Sequence, residues 1–209
     1  MKLNAEQIFQ ILKSSQYANE KAFISRCFQL DVEKQFDKIK LRLHLIDSLY
    51  STQMSKRYYG IEELAEAFSK YTDDELIVEA KNMLNKENST ILKNIFSNKY
   101  GYNSSGKNEK KAVSLISKYL YFLTGYQFPI YDSLVKIAYP KIKEEYQLKT
   151  KFTTITDVNF VKALAELNQI SGIRNFEKLD NFLWYSEKER LGSYSLILSK
   201  EEHLKRISK

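Results

Sequence analysis

The sequence predicts an all-α protein, a helical bundle, and three observations predict it: a scarcity of turn formers, apolar residues at helical spacing along most of the chain, and a complete helix-start signature at Thr72. Only 6 Gly and 2 Pro occur in 209 residues. β-Sandwiches and Gly-looped α/β nucleotide folds need many tight turns, and tight turns draw on those residues. The length suits one fair-sized domain or two small ones. Hydrophobic residues at 43% and charged residues at 28% match ordinary globular usage, which excludes wholesale disorder.

The elements follow in order. Ala5 to Ser14 repeats apolar residues at Ile8, Phe9, Ile11 and Leu12, and Ala22 to Leu30 repeats them at Phe23, Ile24, Cys27 and Phe28. Val32 to Tyr50 carries Phe36, Ile39, Leu43, Ile46 and Leu49 on one stripe, about five turns long. Ser51 to Gly60 reads as a loop and Ile61 to Tyr71 as a helix. Thr72, with Glu75 three residues on, is a capping box that starts a helix through about Asn85. Ile91 to Phe96 continues the rhythm. Asn98 to Asn108 is turn-rich, with Gly101, Asn103, Ser104, Ser105 and Gly106, and predicts a loop. Lys110 to Thr124 predicts a helix that buries Val113, Ile116, Leu120 and Leu123. Pro129 makes Phe128 to Tyr131 extended, because the residue before proline avoids the α region. Asp132 or Ser133 then caps a helix to about Tyr146. Asp157 to Ile170 and Asn175 to Leu191 are further amphipathic segments, and Ser193 to Ser199 is ambiguous between strand and helix.

Charge narrows the partners. Thirty-three Lys and Arg against 26 Asp and Glu leave +7, which favours polyanions. From Lys99 to Lys151, ten lysines face four carboxylates, so one segment holds nearly all the excess. The single cysteine, Cys27, forbids an internal disulfide and suits a reducing compartment. His44 and His203 stand far apart, so no metal site and no cofactor are expected. No basic leader precedes an apolar run at Met1 to Gln16, and no apolar stretch approaches the roughly 18 residues of a spanning helix. The expected location is the cytoplasm, with no membrane partner.

Two patterns bear on chemistry. Gly101 to Lys107 fits G-x-x-x-x-G-K, but Asn108 stands where a Mg²⁺-binding hydroxyl is required, and the preceding segment reads as a helix rather than a buried strand. Nucleotide hydrolysis is therefore not expected. The second pattern is Lys111 and Lys118, seven residues apart and so on one face of the expected helix, followed by Asp132. An extended connection from Gly125 to Tyr131 can run back along that helix and bring Asp132 near one of the lysines. A lysine beside a carboxylate can attack a sugar anomeric carbon while the carboxylate stabilises developing positive charge. Tyr119, Tyr121 and Tyr126 interleave with the lysines, the mixture that nucleic-acid surfaces use.

At these residues the chain resembles the helix-hairpin-helix DNA glycosylases, in particular the 8-oxoguanine DNA glycosylase fold and its archaeal branch. Ser104-Ser105-Gly106 precedes a helix bearing Lys111 near its start, Pro129-Ile130-Tyr131 precedes Asp132, and Leu179-Asp180-Asn181-Phe182-Leu183-Trp184 looks like the ending of the archaeal branch. The usual Gly-x-Gly hairpin is absent. The resemblance covers roughly residues 100 to 190, with 99–209 the glycosylase-like core and 1–98 an N-terminal helical region of unassigned role. It implies a DNA glycosylase, with or without lyase activity, that flips a modified or damaged base from double-stranded DNA. Lys111 or Lys118 would be the nucleophile and Asp132 the supporting carboxylate. Lys111, 21 residues before Asp132, is favoured by spacing. Ser105, Gly106, Lys107 and Lys110 would contact DNA, and Phe182 and Trp184 would line the base pocket. The alternative is a non-catalytic nucleic-acid-binding protein on the same scaffold.

Overall fold

A computed structural model of the chain describes residues 5–13, 15–85, 89–108 and 110–190. Among them it is helical throughout, with no β-strand beyond two isolated bridges. The helices are α1 (Ala5–Lys13), α2 (Gln16–Cys27), α3 (Gln35–Tyr50), α4 (Gly60–Ser69), α5 (Asp73–Leu84), α6 (Thr90–Ser97), α7 (Val113–Leu123), α8 (Ser133–Glu145), α9 (Phe160–Ile170) and α10 (Phe176–Arg190). No helix of the described residues is long and apolar enough to cross a membrane. The ambiguous stretch from Ser193 to Ser199 lies outside the described residues.

The chain gathers into two compact units. A central unit takes Ile24–Tyr131, and a terminal unit takes Met1–Phe23 with Asp132–Lys209. The turn-rich stretch at Asn98 to Asn108 lies inside the central unit.

In the central unit, α7 is buried on every side, from Val113 through Phe122 apart from half-buried Ser114. A helix without a polar face is a core helix, and α3 and α5 pack on it while α4 packs on α3 and α6 on α5. Tyr119 stacks on Phe68 with ring centroids 4.6 Å apart and tilts against Phe28 at 5.4 Å. Arg42 of α3, itself buried, donates to both carboxylate oxygens of Asp73 (3.1 and 2.9 Å) and lies over the Phe28 ring at 4.6 Å. Thr72 accepts from the Glu75 amide, and the Glu75 carboxylate accepts from the Thr72 amide at 2.8 Å, so the capping box expected from sequence is complete.

In the terminal unit, α10 is the central helix, packed on α8 and α1. Leu179, Phe182, Leu183 and Tyr185 are buried, and so are Asp180, Asn181 and Glu187. Buried charge needs partners, and they come from neighbouring helices: Lys21 of α2 meets Glu177 at 2.8 Å, and Lys141 of α8 meets Glu187 at 2.7 Å. Asp132 caps α8, its Oδ1 accepting from the Val135 amide at 2.9 Å.

Candidate functional site

The turn-rich segment between α6 and α7 folds as a small antiparallel hairpin. Lys99 bridges Lys111, and the Tyr100 amide donates to the Lys110 carbonyl at 3.0 Å. At its tip Asn103 Oδ1 accepts from the amides of Ser105 (3.0 Å) and Lys107 (2.9 Å), an Asx-type closure that needs no apolar packing. Gly106 turns the chain with φ of +72°. Arg57 braces the hairpin from beneath, donating to the Tyr100 carbonyl at 3.1 Å and the Gly101 carbonyl at 2.8 Å. Ser105, Gly106, Lys107 and Lys110, the expected DNA contacts, all come out exposed on this one hairpin. The Gly101 amide, which a phosphate-binding loop would present to its ligand, instead donates to the Glu63 carboxylate at 2.7 Å.

The hairpin corrects one expectation. Lys111 is not on a helix: the backbone of Lys110 and Lys111 is taken up by pairing with Lys99 and Tyr100, so α7 cannot begin before Val113. Lys111 and Lys118 therefore share no helix face. A second correction concerns the interleaved tyrosines. Tyr119 and Tyr121 are fully buried and offer no stacking face, and Tyr126 is half-buried with its hydroxyl against Ser25. Burial drives the Tyr119 phenol well above its ordinary value, only partly offset by Arg42.

Lys118 lies on α7 with 2% of its surface exposed. Its Nζ donates to Ser114 Oγ one turn back at 2.9 Å and stands 5.5 Å from the Tyr50 ring centroid. Beside it, buried Ser117 does two things: its hydroxyl donates to the Ser114 carbonyl at 3.0 Å and accepts from the Tyr131 amide at 3.0 Å. The second bond pins the extended strap that runs back along α7 after the turn at Gly125. Phe128 and Ile130 of the strap are buried, and Phe128 stacks on Phe96 at 6.4 Å. The run back along the helix is the path expected from Pro129. Ser114 and Ser117 stand four residues and one residue before Lys118, a spacing that sequence alone displays but does not assign to the amine or the strap.

The remaining expected residues belong to the terminal unit. Asp132, half-buried, is the first residue after the pinned strap and uses one carboxylate oxygen as the α8 cap. Phe182 meets Tyr146 edge-on at 5.7 Å and lines a cavity of about 480 Å³ with Ile142, Leu148, Leu167 and Ile173. Trp184 is not among the residues lining that cavity. Two helical positions are about 200° apart, so Trp184 turns the other way and stacks on Tyr17 at 5.0 Å, with Lys188 5.8 Å from its ring. On that face Tyr17 donates to Asp180 at 3.3 Å, beside the Lys21–Glu177 pair. Burial pushes the Lys21 ammonium below its ordinary value, and the Glu177 carboxylate holds part of that back. No group of three or more His, Cys, Asp or Glu that could hold a metal ion occurs among the described residues.

No protein-family model, curated protein or solved structure matches the chain.

Proposed function

We propose that the chain is a DNA glycosylase with lyase chemistry in which Lys118 is the nucleophile. One observation carries the reading: a buried lysine held at its amine by Ser114 and Tyr50, on a helix whose next-door Ser117 pins the strap leading to Asp132. A nucleophilic amine has to be held in place before it is useful. In the proposed reaction the Lys118 amine attacks C1′ of a flipped nucleotide, the base departs with the bonding electron pair, and loss of a proton with opening of the sugar leaves an imine between Nζ and C1′. Asp132 keeps the role the sequence suggests for it, a carboxylate that stabilises positive charge on the sugar. The exposed hairpin of Ser105, Gly106, Lys107 and Lys110 supplies phosphate contacts.

The experiment is borohydride trapping on duplexes carrying 8-oxoguanine, uracil or an abasic site. The wild type forms a covalent adduct, Lys118→Gln loses it and Lys111→Gln keeps it. An adduct that survives Lys118→Gln and disappears in Lys111→Gln transfers the role to Lys111. No adduct on any duplex, with salt-dependent binding intact, leaves the second reading, a nucleic-acid-binding module, which the exposed basic hairpin favours by itself.

A further inference from the structure

Beside the basic hairpin the fold exposes three large aromatic rings. Tyr58 is 65%, Tyr59 67% and Tyr102 38% exposed. Among the described residues none of the three has a ring contact or a side-chain hydrogen bond. Tyrosine is normally part-buried through its ring, and a group of bare rings marks a surface that meets something.

Their arrangement is built. Tyr58 and Tyr102 exchange both backbone hydrogen bonds, at 3.0 and 2.9 Å, so they are a directly opposed antiparallel pair. Opposed residues project to the same side of the ladder, with Cα atoms about 5.5 Å apart. Tyr59 is held next to them by a contact between glycines. A Cβ on Gly101 would come within 2.6 Å of the Gly60 Cα, so only glycine lets the chain segments carrying Tyr59 and Tyr102 approach this closely. Tyr59 itself has φ of +62°, a left-handed conformation that is costly for a bulky residue and persists only where the surrounding structure imposes it. A strained backbone that presents a bare ring is a reason to look for a ligand of that ring.

Charge states which ligand. Lys56, Lys107 and Lys110 are exposed around the trio, and no ion pair among the described residues uses them. Of the nearby carboxylates among the described residues, Glu62 is engaged by Lys40 at 2.9 Å and Glu63 by the Gly101 amide. Rings that accept a flat face, set among lysines that accept phosphate, suit an unpaired nucleic-acid strand. A lipid surface is the poorer fit, since interfacial insertion uses Trp, Phe and Leu on a helix.

We infer that Tyr58, Tyr59 and Tyr102 form a stacking platform for the bases of single-stranded nucleic acid, with Lys56, Lys107 and Lys110 on its phosphates. The platform rests on the nucleic-acid reading above but not on its chemistry. The test measures binding of the full chain to an undamaged oligothymidylate and to an abasic strand of equal length and charge. The platform requires tighter binding to the strand with bases, and a loss of roughly fivefold to a hundredfold for each of Tyr58→Ala, Tyr59→Ala and Tyr102→Ala. Phe in place of each Tyr retains affinity, and the salt slope stays constant in the aromatic variants but falls in Lys107→Gln. Equal affinity for the two strands, or unchanged affinity in the triple Ala variant, overturns it. So does binding to phosphatidylserine vesicles with none to the oligonucleotide. Trapping that fails while oligothymidylate binding stays tyrosine-dependent removes the glycosylase and keeps the platform; trapping that succeeds with tyrosine-independent binding does the reverse.

Discussion

Two buried lysines, one in each unit, are put to different uses. Lys21 of the terminal unit, 5% exposed, reaches from α2 to Glu177 on α10, and its contact ties two helices together. Lys118 of the central unit, 2% exposed, bonds a hydroxyl on its own helix and stands over a ring of α3. The first is an ion pair between helices; the second combines a hydrogen bond one turn back along α7 with a cation–ring contact to α3. An interhelical ion pair in a low-exposure setting is expensive to break because it strands a buried charge. A hydrogen bond to Ser114 one turn back holds the Lys118 amine at a fixed height on its own helix. Burial alone therefore does not say what a lysine is for, and the proposed nucleophile Lys118 differs from Lys21 in the kind of partner that holds its amine.

The sharpest way to test that contrast is to remove each lysine and read both activity and stability. Lys118→Gln is expected to abolish the borohydride-trapped adduct while leaving the urea midpoint near that of the wild type. Lys21→Gln should do the opposite, retaining the adduct in the protein that stays folded. Loss of the adduct in both variants at a temperature where both are folded breaks the comparison. Next in size is the stability cost at Lys21 itself. Lys21→Ala should lower unfolding free energy by about 2 kcal/mol, because the half-buried Glu177 is left without its ammonium, and Lys21→Met with Glu177→Gln should recover much of it. A single-variant loss within error of zero in urea denaturation means the pair ties nothing.

A third experiment turns to a carboxylate of the central unit. Asp47 accepts from the Thr52 hydroxyl and from the amides of Met54 (2.8 Å) and Ser55 (2.9 Å), closing the chain after α3. Burial pushes its pKa up, but hydrogen bonds from Ser55, Thr52 and Met54 outweigh burial and leave it below the ordinary 3.8. Between its folded value and 3.8 the unfolded chain binds the proton and the folded chain does not, so stability rises with pH across that window. This contribution is complete above 3.8 and lost as pH falls through the folded value. The acid limb of an unfolding titration should be shallower in Asp47→Asn, and an unaltered limb removes the assignment. The smallest expected effect is at the capping box of α5. Thr72→Ala should cost about 1 kcal/mol, read from the urea midpoint, with Thr72→Ser close to neutral.

Local signals reached far into this fold. The capping box at Thr72, the Asp132 cap and the extended strap after Gly125 are all written in residues adjacent in sequence, and each is where local chemistry puts it. Helix ends went astray where a partner distant in sequence intervened. Periodicity starts a helix at Lys110, but pairing with Lys99 delays α7 to Val113. Likewise α2 begins at Gln16, earlier than the apolar spacing from Ala22 indicates, over a stretch whose Tyr17 and Lys21 have partners more than 150 residues away.

The candidate site divides along the same line. Lys118, Asp132 and the basic loop were visible as residue types at a spacing, because charge and turn chemistry are properties of single residues and near neighbours. Which tyrosines are bare was not visible: Tyr119 and Tyr121 sit beside lysines in sequence and are buried, while Tyr58, Tyr59 and Tyr102 are exposed. A helix that is apolar on all sides has no face from which sequence can read an orientation, and a ring's exposure depends on what other segments cover it. Composition and near-neighbour patterns suffice for the all-helical class, most helix positions, the local caps and the basic loop. Which lysine is buried, which rings face out and where α7 begins depend on contacts between segments far apart in the chain, which no local pattern carries.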